Sequence, residues 1–92
     1  MEGELIEAAK NGNLKVVEQL IEKGVDIHTQ DEYALRWAAF NGHLDIVKLL
    51  IEKNANIHVN DEAPLRESAS CGHFEIVKLL IEKRYKYSRR KR

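Results

Sequence analysis

Four histidines, a single cysteine and a set of carboxylates are the residues of this 92-residue chain that could ligate a metal or attack a substrate. The histidines fall into two pairs, His28 with His58 and His43 with His73, and both pairs share an offset of 30. Such spacing marks places in a repeat rather than one coordination sphere. Corresponding positions in neighbouring helical units lie roughly 8–10 Å apart. Two ligands of one zinc ion must each approach to about 2 Å. The histidines are therefore expected to make turn and cap hydrogen bonds, with no metal site. Cys71 stands two residues before His73, as a nucleophile and its base can be arranged, but it occupies the turn position of Asn11 and Asn41. No acid is placed to orient the histidine, so nucleophilic catalysis lacks its third member. The Glu and Lys runs Glu18–Glu22, Lys48–Glu52 and Lys78–Glu82 have i,i+4 spacing and describe a solvated helix face. A glycine-rich phosphate loop is missing. These residues give no basis for an enzyme, a cofactor or a small-molecule substrate.

The same offset of 30 runs through the whole chain. Leu5, Leu35 and Leu65 correspond, as do Ala8-Ala9, Ala38-Ala39 and Ser68-Ala69, and as do Gly12, Gly42 and Gly72. Val17, Leu20 and Ile21 return as Val47, Leu50, Ile51 and as Val77, Leu80, Ile81. A fixed period of this length is the signature of stacked supersecondary units, about three of which are needed for stability. The stretch 31–60 is the central copy.

Each copy reads as two short helices. In the first, Leu5, Ala8 and Ala9 share a face of a helix over about Glu2–Lys10, ended by Asn11-Gly12. Asn13 is placed to cap a second helix over about Leu14–Glu22, closed by Gly24. The second copy predicts helices over Tyr33–Phe40 and Leu44–Lys53. The third predicts them over Pro64–Ser70 and from Phe74 to about Arg84. Pro64 suits a first helical turn. The links 25–31 and 55–61 contain the β-branched Ile27 and Ile57, which suggests an extended segment and a tight turn. Every unit has apolar residues on more than one side, so neighbours must stack to bury them. Glu2, Glu4 and Glu7 make the leading unit polar.

Three stretches, Ala34-Leu35-Arg36-Trp37-Ala38-Ala39, the run Gly42 to Leu50, and Asn54-Ala55-Asn56-Ile57-His58, resemble the ankyrin repeat. The resemblance covers residues 1 to about 84 in three registered copies. The period of 30, with A-L-R and N-I-H, is similar to that of ankyrin repeats of giant DNA viruses of amoebae. The family's usual period is longer by three residues, which are missing where its hairpin tip would project. Its T-P-L-H opening is replaced by Tyr33-Ala34-Leu35-Arg36 and Ala63-Pro64-Leu65-Arg66, so the threonine–histidine hydrogen bond of that motif is absent. The resemblance implies an all-α solenoid of three stacked helix-turn-helix repeats with shortened hairpin loops, at about 1–30, 31–60 and 61–84, followed by a basic tail at 85–92. It also implies a non-enzymatic protein–protein interaction module whose concave side is formed by the first helices. The partner must be argued from residues, because a fold does not name one.

On a helical projection with Leu35 at the origin, Tyr33, Trp37 and Phe40 fall at about 160°, 200° and 140°, opposite the core face. Their counterparts are Gly3, Glu7, Lys10 and Ala63, Glu67, Ser70. The aromatic stripe thus belongs to one unit and is not required by the repeat. Trp and Tyr are frequent anchors of interfaces. Tyr33, Trp37 and Phe40 are the expected centre of a partner-binding face, with Glu7, Arg36, Arg66 and Glu67 at its rim. The competing reading has Trp37 packed sideways as a brace of the stack.

Zero net charge conceals a division. Residues 1–82 carry 8 Lys/Arg against 15 Asp/Glu, net −7, and residues 83–92 carry seven basic residues and no acid. Lys83, Arg84, Lys86, Arg89, Arg90, Lys91 and Arg92 form the basic end, with Ser88–Arg92 expected to be disordered. Such a run could contact nucleic acid through phosphates, serve an import receptor as a nuclear signal, touch an anionic membrane surface, fold back on the acidic body, or merely solubilise the last repeat. Thin end caps also raise self-association of the units end to end. No apolar run approaches the roughly 20 residues of a membrane span, and the acidic start is unlike a signal peptide. One cysteine allows no internal disulfide and fits an intracellular setting, cytoplasm or nucleus.

Overall fold

A computed structural model describes residues 2–90, with side chains from 3 to 84. The order is α1 (Glu2–Asn11), α2 (Leu14–Glu22), α3 (Thr29–Phe40), α4 (Leu44–Glu52), α5 (Val59–Ser70) and α6 (Phe74–Arg90). The pairs α1–α2, α3–α4 and α5–α6 are the three units. No strand occurs among the described residues, and the projecting hairpins are reduced to turns.

Within each unit the two helices join at a glycine with left-handed backbone. Gly12, Gly42 and Gly72 have φ of 79°, 82° and 77°. The following amide closes the turn, with Asn13, His43 and His73 N–H donating to the carbonyls of Ala8, Ala38 and Ser68 at 2.9 Å. Side chains then stack the units. Leu5, Ala9, Val17, Leu35, Ala38, Ala39, Ile46, Val47 and Leu50 are fully buried in one continuous core. The first helices α1, α3 and α5 pack closely in a row, while the second helices touch one another much less. The alanine pairs permit this approach.

The links between units depart from the expectation of an extended segment. Ile27 and Ile57 are buried anchors, and no strand forms around them. Gln30, Asp31 and Glu32 instead adopt φ of 55°, 56° and 60°, and Asn60, Asp61 and Glu62 repeat this with 50°, 56° and 63°. Three successive left-handed residues without glycine are costly, about 1–2 kcal/mol each for ordinary side chains. Local bonds hold them. Asp26 and Asn56 accept the N–H of His28 and His58 through Oδ1 at 2.9 Å. Nδ1 of His28 and of His58 donates to Glu32 Oε2 and Glu62 Oε2, each at 2.6 Å. The right-handed part of α3 starts at Tyr33, where the sequence places the helix.

The last helix also differs. Units one and two end at left-handed Gly24 (φ 89°) and Asn54 (φ 72°). Arg84 occupies that place in unit three, and α6 continues through it to Arg90. The expected disorder from Ser88 is corrected here to helix as far as Arg90, because no cap residue interrupts a run of good helix formers. Lys91 and Arg92 lie outside the described residues.

Candidate functional site

The aromatic stripe sits on α3, the first helix of the middle unit. Tyr33 and Trp37 have ring centroids 5.9 Å apart and tilted by 57°, and Trp37 and Phe40 are 5.6 Å apart, edge to face at 86°. Helical spacing of four and three residues brings each ring against the next. Tyr33 and Trp37 are half-buried, and Phe40 is 43% exposed. Small residues hold the Tyr33 position in the adjoining units, Gly3 and Ala63.

Tyr33, Arg36, Trp37, Phe40 and Glu67 line one pocket of about 200 Å³. Five of the seven residues expected from sequence are thus brought together. Arg36 reaches across the junction, its NH2 nitrogen 3.4 Å from Glu67 Oε2, and its guanidinium lies 5.8 Å from the Tyr33 ring centre. The pair is only half made. Arg36 Nε and Glu67 Oε1 are buried without a hydrogen-bond partner among the described residues, although a side-on fork would join them.

The other two fall elsewhere. Glu7 is exposed on α1, accepting from Asn11 Nδ2 at 3.3 Å, and does not line the pocket. Arg66 turns back onto its own unit, where Nε and the NH2 nitrogen donate to the carbonyls of Asp61 and Asn60 at 2.9 and 2.8 Å. Lys10 is a member that sequence reading passes over. Its Nζ lies 4.8 Å from the Trp37 ring centre, a cation–π contact. The signal was available, since Lys10 is the counterpart of Phe40 one unit earlier and must lie alongside the stripe.

The residues that looked chemical are engaged by the stack. A carbonyl only accepts, so His43 Nε2 donates to Lys10 O at 2.9 Å and His73 Nε2 to Phe40 O at 3.0 Å. Each bond ties the second helix of one unit to the first helix of the unit before. Asn13, the counterpart in the first described unit, caps its own helix by accepting from Val16 N–H. Of the expected turn and cap bonding, the turn part is seen at His28 and His58, but neither of these nor His43 makes a side-chain cap bond, and the His43 and His73 rings reach across the junctions instead. Asn41 adds Nδ2–H to Lys10 O at 2.9 Å, while its counterpart Cys71 is exposed and free.

At the basic end, Arg84 Nε lies 3.9 Å from Glu62 Oε2, and Lys83 borders a shallow hollow between α4 and α6. Lys86, Arg89 and Arg90 are in α6, but their side chains are outside the described residues. No helix among the described residues is long and apolar enough to cross a membrane.

Three helix pairs stacked in register, with a histidine of each later unit tied to the unit before it, define a helical repeat solenoid. The family model for ankyrin repeats in three copies matches residues 5–91. The chain belongs to the ankyrin-repeat family, whose repeats are in general protein–protein interaction modules. No curated protein matches the chain.

Proposed function

We propose that the chain is a non-enzymatic module that captures a protein partner on its concave first-helix face, with Tyr33, Trp37 and Phe40 at the centre. Arg36 and Glu67 flank the aromatics within the pocket. One observation carries the reading. Three aromatic residues that the repeat does not call for lie side by side, partly exposed, in the pocket that also holds a half-made ion pair. Partly exposed aromatics beside a charged pair have the composition of interface anchors. A docking chain that moves Arg36 or Glu67 would uncover a hydrogen-bond donor and an acceptor together. The sideways packing of Trp37 is compatible with this role, because a rigid ring is a better anchor than a loose one.

Replacing Tyr33, Trp37 and Phe40 together by alanine should abolish partner capture and leave the helical circular dichroism unchanged. Trp37, the only tryptophan, supplies a direct readout, since its emission should shift to the blue and lose access to a soluble quencher when partner binds. Unchanged capture by the triple variant, or collapse of its helicity, would remove the stripe from the function.

A further inference from the structure

The two ends of the stack are built differently. At the leading end, Glu4 stands where Ala34 and Pro64 are buried against the preceding unit. A carboxylate there closes the end to apolar packing. At the other end, Leu65, Ala69, Val77 and Ile81 stand where their counterparts in unit two are buried by the following unit. Ile51 is 6% exposed and Ile81 50%. Phe74 is the most exposed large apolar side chain of the described residues, at 74%. Its counterpart Leu44 borders the hollow between α4 and α6, so this position looks toward the next unit. A seat is also empty. The Cβ position of Gly12 is 2.7 Å from the His43 ring and that of Gly42 is 2.7 Å from the His73 ring, but nothing lies within 4 Å of Gly72.

The chain itself does not turn to cover this face at the place where the earlier units turn. Gly24 and Asn54 reverse the chain to lay down a new unit, whereas α6 runs straight past Arg84. Nor does the leading end of another copy fit, because it would press Glu4 and a capping Asn13 where the stack uses a small apolar residue and a histidine.

We infer that this face binds the same face of a second copy, giving a two-fold dimer with the α6 helices antiparallel across the axis. The surface is continuous in kind with the two junctions already in the chain, and Phe74, Val77 and Ile81 form a helical seam at i, i+3 and i+7. A two-fold contact uses one patch twice and closes on itself, so it does not grow into a filament. Charge agrees with this arrangement. The α6 sequence has Glu75 near its start and, after Glu82, five basic residues from Lys83 to Arg90, so antiparallel apposition sets the acidic beginning of one helix beside the net basic end of the other. The dimer leaves the aromatic pocket on α3 free, so the two proposals fail separately.

Sedimentation of the full chain from micromolar to millimolar concentration tests this. A monomer–dimer equilibrium without larger species is expected. Ile81→Glu and, separately, Phe74→Glu should raise the half-dimer concentration by at least about tenfold, and Lys15→Glu on the exposed side of α2 should not move it. Both main substitutions are at exposed positions, and circular dichroism verifies that helicity persists. A monomer at every concentration, open-ended growth, or a dimer indifferent to both substitutions would overturn the inference.

Discussion

Arg36 and Arg66 hold the same place in successive units and do different work. Arg66 reaches back to donate to two carbonyls of its own left-handed turn, Asn60 and Asp61. Arg36 makes no such bonds among the described residues and leans across the junction toward Glu67, beneath the Tyr33 ring. The neighbour decides. Glu67 follows Arg36 in the stack and offers it a carboxylate, while Arg66 faces no later unit in the described structure. The turn of unit two is consequently less well held than that of unit three, and its arginine belongs to the pocket. Positions where the units agree build the scaffold, and positions where equal residues behave unequally point to the site.

The largest expected effect tests the agreement between units. Gly42→Ala forces left-handed alanine, at about 1–2 kcal/mol, and drives a methyl group into the His73 ring. That ring must move, with loss of its bond to Phe40 O and about 1–3 kcal/mol of overpacking. The sum, about 3 kcal/mol, is a large share of the stability of a small domain. Gly72→Ala meets open space and should lose only the same left-handed backbone penalty, about 1–2 kcal/mol, without the overpacking. Urea denaturation of both variants measures the difference. Equal losses would mean that the histidine seat contributes nothing and that the junctions are held by the core alone.

The arginines come next. Arg66→Ala leaves two carbonyls of a left-handed turn without their donors and should lower stability by about 1 kcal/mol. Arg36→Ala removes one long, part-exposed ion pair, worth about 0.5 kcal/mol, yet should weaken partner capture more than Arg66→Ala does. Stability from urea midpoints and affinity from Trp37 emission separate the two effects. A reversal of either order would return Arg36 to the scaffold.

Much of this was legible in the sequence, and unevenly. The constant offset between like residues set the units, and α2 runs over Leu14–Glu22 as the spacing predicts. The pocket was legible because Tyr33, Trp37 and Phe40 break the repeat while sharing a helix face. The left-handed turns were not legible. Positive φ is normally announced by glycine, asparagine or aspartate, and here each run also takes in residues that do not announce it, Gln30 and Glu32 in one and Glu62 in the other. The β-branched residues nearby suggested an extended segment and a tight turn, but Ile27 and Ile57 serve as buried anchors. Arg66 was placed at the rim because helical projection locates a Cα, whereas its long side chain reaches five and six residues back. The run of α6 past Arg84 needed the comparison with Gly24 and Asn54, which shows that a missing cap carries as much information as a present one.

The smallest effect sharpens the contrast between the turns. Gln30 and Asn60 are counterparts with φ of 55° and 50°. Asparagine tolerates the left-handed region better than glutamine, since its short polar side chain bonds locally. Gln30→Asn should therefore stabilise the chain, by roughly 0.5 kcal/mol, a fraction of the left-handed penalty. Asn60→Gln should cost less than Gln30→Asn gains, because Arg66 already donates to Asn60 O and to the next carbonyl. Adding Arg66→Ala to Asn60→Gln removes that support, and the loss should then exceed the sum of the single losses. Strict additivity in this cycle would show that the arginine does not hold the turn, and the difference between units two and three would have to come from Gln30 and Asn60 alone.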